Sequence, residues 1–115
     1  MSKRLSIMKH FPNLKPLLDF SAAMHQLGLE RPLVELVLMR VSQINGCAYC
    51  MDMHSKDARA AGETEQRLYV LAGWREASFY SERERAALDW AEAVTRLGEH
   101  GVSDDVYDRA RAAFS

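Results

Sequence analysis

The chain has 115 residues, with 15 Lys and Arg against 16 Asp and Glu and a net charge of −1. So even a balance leaves no basic footprint for nucleic acid or for an anionic membrane surface. The length fits a single domain, residues 1–115, with a core but little to spare for a free-standing enzyme.

Lys15, Pro16 and Asp19 break up the early apolar segment, so neither a signal peptide nor a membrane span is expected. A cytoplasmic location follows as the expectation. There, two cysteines are better suited to redox or metal chemistry than to stapling a fold. In chain order, Asn13 is placed to cap a first helix carrying Leu14, Leu17, Leu18, Ala22 and Met24 and stopping at Gly28. Pro32 suits the first turn of a second helix that runs to about Asn45-Gly46. A third starts at Cys47 and passes Ala58, Ala60 and Ala61 before Gly62. Thr64 can cap a short helix ending near Gly73, and Ser81-Glu82-Arg83-Glu84 is a capping-box signature ahead of Leu88, Trp90, Ala91, Val94 and Leu97. Ser103-Asp104-Asp105 opens a last helix with acids at the positive end of its dipole. No alternating strand pattern is found, and the β-branched run 33–44 is too long and too free of turn signals for a strand. The fold class is all-α.

Within residues 33–41, seven of nine are apolar, so this helix is expected to be covered on most sides, by tertiary packing, by oligomer contacts or by both. Glu35 therefore falls in a poorly solvated place. Burial disfavours the charge of a carboxylate, which suits an acid that exchanges protons near neutrality. Arg40 lies about 140° away around the helix and is not its obvious partner.

Four residues stand out: Glu35, Cys47, Cys50 and His54. On a helix, Cys47, Cys50 and His54 fall in a stripe roughly 60° wide. Thiols three apart can close a disulfide, and an imidazole four residues on can take or return a proton. Gly46 lets the chain turn, leaving Cys47 at or near the N-cap and Cys50 in the first turn. The field of the helix end favours Cys47 as the attacking thiol, whereas the nearby imidazole favours Cys50. The residues alone leave both assignments open. Tyr49, between the thiols, can line a pocket or simply pack.

A Glu, a CxxC twelve residues on and a His four residues past the second Cys together resemble the AhpD-like alkylhydroperoxidases of the carboxymuconolactone decarboxylase superfamily. Residues 81–93 are similar to that family's following helix. The resemblance implies an antiparallel helical bundle completed by oligomerisation into trimers or hexamers. It also implies a thiol-dependent peroxidase active in antioxidant defence. Cys50 would attack a hydroperoxide and become a sulfenic acid, Cys47 would resolve it to a disulfide, and His54 with Glu35 would relay protons. No bound cofactor is implied; an external dithiol, of lipoyl type or thioredoxin-like, would act as electron donor. Tyr49 stands where some members carry a second His, and the chain stops at Ser115 where the family usually continues into another helix.

A redox-sensing or scaffold protein of the same fold would use the pair only as a switch. A decarboxylase-type lyase is disfavoured, because that branch typically lacks the cysteine pair. Structural zinc needs four ligands, and His10, His25 and His100 are scattered, so no metal is expected. A thioredoxin fold requires a proline after the cysteines, and all three prolines precede them. Trp74, Phe79, Tyr80 and Trp90 read as packing aromatics, Met24, Met39, Met51 and Met53 as core or interface fillers, and residues 82–85 as a solvated face.

Overall fold

The computed structural model describes residues 4–114 and is all-helical among them, with one isolated bridge between Gly98 and Gly101. Two compact units divide the chain, one ending at Glu30 and the other beginning at Arg31. The first holds α1, Phe11–Met24. Its N-cap is His10, not Asn13, which lies inside the helix. Pro12 explains the earlier start, since a first-turn proline needs no N–H partner and has its φ already set. The helix ends at Met24 rather than at Gly28, which follows with φ 95°. No residue of α1 is buried.

The second unit holds α2 (Arg31–Asn45), α3 (Ala48–Ala60), the short α4 (Glu65–Tyr69), a 3₁₀ turn at Leu71–Gly73, α5 (Glu82–Thr95) and α6 (Asp104–Phe114). In this unit the caps foreseen at Thr64 and Ser81 are made. Thr64 accepts from the Arg67 N–H, and Ser81 with Glu84 forms a complete capping box. α2 packs between α3 and α5, and α6 packs on α5. Leu36 and Met39 of α2 meet Ala58, Leu68, Leu71, Trp74, Tyr80 and Leu88 in one core, of which Leu36, Leu71 and Leu88 are fully buried. Trp74 and Tyr80 thus pack inside, while Phe79 and Trp90 stay exposed.

Charged groups are buried only as partners. Arg40 Nε donates to Glu92 Oε1 at 2.8 Å, and Trp74 Nε1 donates to the same oxygen at 2.9 Å. Both Arg40 and Glu92 are more than nine-tenths buried, so this pair ties α2 to α5 inside the core. Arg67 pairs with Glu63 and Glu84 and stacks over Tyr80. Residues 84 and 85 are not a solvated face: Glu84 holds Arg67, and half-buried Arg85 donates to the carbonyls of Trp74, Arg75 and Ala77. Those carbonyls lie around the 3₁₀ turn and the loop after it, where no helix satisfies them.

Burial opposes ionisation of Glu84, Asp89 and Glu92, yet all three are held below their ordinary carboxyl range. Hydrogen bonds and charge from Arg67, from Arg109 with Arg75, and from Trp74 with Arg40 outweigh the burial. A carboxyl depressed on folding contributes stability that is fully present above its unfolded value and is lost as pH falls through the folded one. Thermal midpoints are therefore expected to stay flat from neutrality to about pH 5 and to drop steeply below that. Arg40→Met should cost about 2 kcal/mol in chemical denaturation at pH 7 by removing the buried cation from Glu92, which keeps Trp74 and Arg75, and less at acid pH.

Candidate functional site

α2 ends in a tight reversal. Gly46 adopts φ 64°, a left-handed conformation that an L side chain enters only under strain, and the Cys47 N–H returns to the Ser42 carbonyl at 3.1 Å. Cys47 then takes the N-cap of α3 with extended backbone, its Sγ accepting from the Cys50 N–H at 3.2 Å. The two cysteines are joined as a disulfide with their Cα atoms 5.3 Å apart, so the chain is in its oxidised form. Both are half-buried.

His54 lies one turn beyond Cys50 on the same face of α3. Its Nδ1 is 3.0 Å from Glu35 Oε2 on α2. Glu35 is 6% exposed, and its imidazole partner is nearly as well covered, with 15% of that side chain exposed. With Glu35 as acceptor, Nδ1–H is the donor, the tautomer in which Nε2 carries the lone pair. The packing of α2 on α3 thus brings Glu35 to His54, which lies one turn along α3 from the disulfide. Tyr49 is 76% exposed and stands out from the helix. Arg40 points elsewhere, to Glu92 and Gln43.

One residue of this cluster is absent from the sequence-derived set. Asp57 presents a carboxylate oxygen so that it, a ring nitrogen of His54 and an oxygen of Glu35 all lie within 4.8 Å of one another. The signal was available: Asp57 follows Cys50 by seven residues and His54 by three, which keeps it on the cysteine stripe. The two described cavities lie elsewhere. The larger, about 590 Å³, is lined by arginines of the α5–α6 side, and the other, about 440 Å³, by Met39, Ser55, Arg59 and Tyr69 among others.

Residues 14–93 match the carboxymuconolactone decarboxylase family. The chain belongs to this family. It is 45% identical over 115 residues to the uncharacterised protein YdfG of Bacillus subtilis (strain 168), covering 99% of this chain and 78% of the relative. It is 32% identical over 79 residues to the uncharacterised protein YnjA of Escherichia coli (strain K12), covering 69% of this chain and 43% of that one. A crystal structure of ATU0492 from Agrobacterium tumefaciens superposes with a TM-score of 0.90 at 40% identity, covering 97% of this chain and 77% of the other. That protein is described as of unknown function and as a suggested antioxidant defence protein AhpD. The fold is AhpD-like, as the residues around the CxxC foretold. No helix among the described residues is long and apolar enough to cross a membrane.

The reversal at residue 46 rests on backbone conformation alone, since a Cβ there meets nothing within 4 Å. Gly46→Ala is expected to lower stability by about 1–2 kcal/mol without clash, and Gly46→Asn by less, in equilibrium urea unfolding of the oxidised protein.

Proposed function

We propose that the chain is a thiol-dependent peroxidase that turns over a hydroperoxide through the Cys47–Cys50 pair. The observation that carries this reading is the disulfide at the start of α3, one turn from an imidazole held by a buried carboxylate. The antioxidant-defence description of the Agrobacterium relative supports the same reading. In the reduced protein, Cys50 is the attacking thiol. His54 Nε2 accepts its proton, and the thiolate attacks the terminal oxygen of ROOH. The O–O bond breaks, the alkoxide leaves as ROH with the proton returned from His54, and Cys50 is left as a sulfenic acid. The Cys47 thiol then displaces water from that sulfur and closes the disulfide. An external dithiol, lipoyl-bearing or thioredoxin-like, restores both thiols by exchange and becomes a disulfide itself. Glu35 keeps His54 in the proton-accepting tautomer and balances the imidazolium that forms in between. The decarboxylation in the family's name is not carried over, because the cysteine pair belongs to the peroxidase pattern and not to the lyase one.

Cys50→Ser is expected to abolish peroxide consumption in an assay supplied with dithiol. Cys47→Ser should trap a sulfenic acid at Cys50, detected by dimedone mass spectrometry. Trapping at Cys47 in the converse variant would reverse the two roles; peroxide-driven thiol loss without turnover on added dithiol would leave a sensor, and no thiol loss at all would leave a scaffold. Glu35→Gln should slow thiol reactivity near neutral pH while leaving the fold intact by circular dichroism, and an unchanged pH–rate profile would remove Glu35 from the mechanism.

We also propose that the chain works as a homo-oligomer. α1 exposes Leu17 (65%), Leu18 (49%) and Phe20 (62%) and buries nothing, and an isolated 14-residue helix is marginal in water. Light scattering coupled to size exclusion should give a mass above one subunit for the native chain. Leu17→Asp with Phe20→Asp should shift it toward the monomer.

A further inference from the structure

We propose that Glu35, His54 and Asp57 form a three-ligand site for a divalent transition-metal cation of the zinc type. The donors are of the kinds that such a cation takes: one imidazole nitrogen and two carboxylate oxygens. All three lie within 4.8 Å of one another. On a tetrahedral zinc with bonds of 2.0–2.2 Å, neighbouring donors stand about 3.4 Å apart. Small side-chain rotations therefore bring this set to bonding distance. The frame is already built. Glu35 comes from the buried helix α2, and His54 and Asp57 lie three apart on one face of α3, as paired helix ligands do.

Charge points the same way. Two carboxylates converge beside one imidazole, and among the described residues no Lys or Arg pairs with either of them. The nearest buried guanidinium on α2, Arg40, is spent on Glu92. Low-dielectric surroundings make such an excess of negative charge costly, and a divalent cation offsets it directly. Three protein ligands leave a fourth position open, and Asp57 is only half-buried, so the cation can exchange with solvent. Neither cysteine is a ligand, which separates this site from the four-ligand cysteine type that the sequence points away from.

A cation here spends the imidazole lone pair, so on the peroxidase reading metal binding and proton relay exclude each other. The binding itself does not depend on that reading. The test uses the full-length disulfide form, stripped with chelator and kept free of reductant, so that thiols take no part. Zn²⁺ is titrated against a chromogenic indicator. One equivalent per chain is expected. Asp57→Asn and His54→Gln should each weaken binding by about tenfold or more. The Cys47→Ser/Cys50→Ser double variant and the His10→Gln/His25→Gln/His100→Gln triple variant should bind as the native chain does. Native stoichiometry far below one, retention of affinity in Asp57→Asn, or loss of binding in either control variant would overturn the proposal. Circular dichroism checks that each variant is folded. As a reading at the site itself, the His54 ring resonances should shift with Zn²⁺ in the native chain, and unshifted resonances at saturation would also overturn it.

Discussion

The hydrogen bond between His54 on α3 and Glu35 on α2 is the constraint on which the candidate chemistry depends. An imidazole near thiols is useful only if one nitrogen is reserved and the other is free, and a buried carboxylate with no competing cation does that reserving. The bond can form because α2 and α3 lie side by side. Their contact rests on Leu36 and Met39 against Ala58 and on the abrupt reversal that Gly46 permits. Apolar packing thus sets a polar distance. Side chains of the wrong volume at those positions would move the imidazole before they unfolded the protein.

The arginines show how the same core excludes other solutions. Arg40, Arg67, Arg75 and Arg85 are all held by carboxylates or by loop carbonyls, and they fasten α2, α4, α5 and the segment between α4 and α5 to one another. The bonds these four make are to those groups and not to the disulfide. On the peroxidase proposal, the features at the start of α3 that would favour a thiolate are the helix N-terminus and the imidazole one turn on.

The chain belongs to the carboxymuconolactone decarboxylase family and shares its fold with the Agrobacterium structure, and in this chain the helical scaffold carries a small polar cluster between two packed helices. That cluster is richer than a dithiol and a base. With Asp57 it holds two carboxylates and an imidazole, the donor set on which both the proposed proton relay and the proposed cation site rest.

Helices, caps and the cysteine register were legible in the sequence because each is local. A capping box spans four residues, a CxxC with a following His spans two turns, and the 3.6-residue repeat needs no distant partner. The start of α1 was misplaced by three residues because Asn13 and Pro12 compete for the same turn and proline prevails. Glu35 was legible as a buried acid from its apolar neighbours, but the identity of its partner, nineteen residues away, was inferred only through a family likeness. The buried Arg40–Glu92 pair and the burial of Arg85 beneath three carbonyls were decided by tertiary structure alone, and so was the closeness of Asp57 to Glu35, although the sequence already set Asp57 on the cysteine stripe. Each depends on which face of one helix meets which face of another. Charged residues at those positions read, one element at a time, as ordinary solvent-facing groups until the packing removes the water.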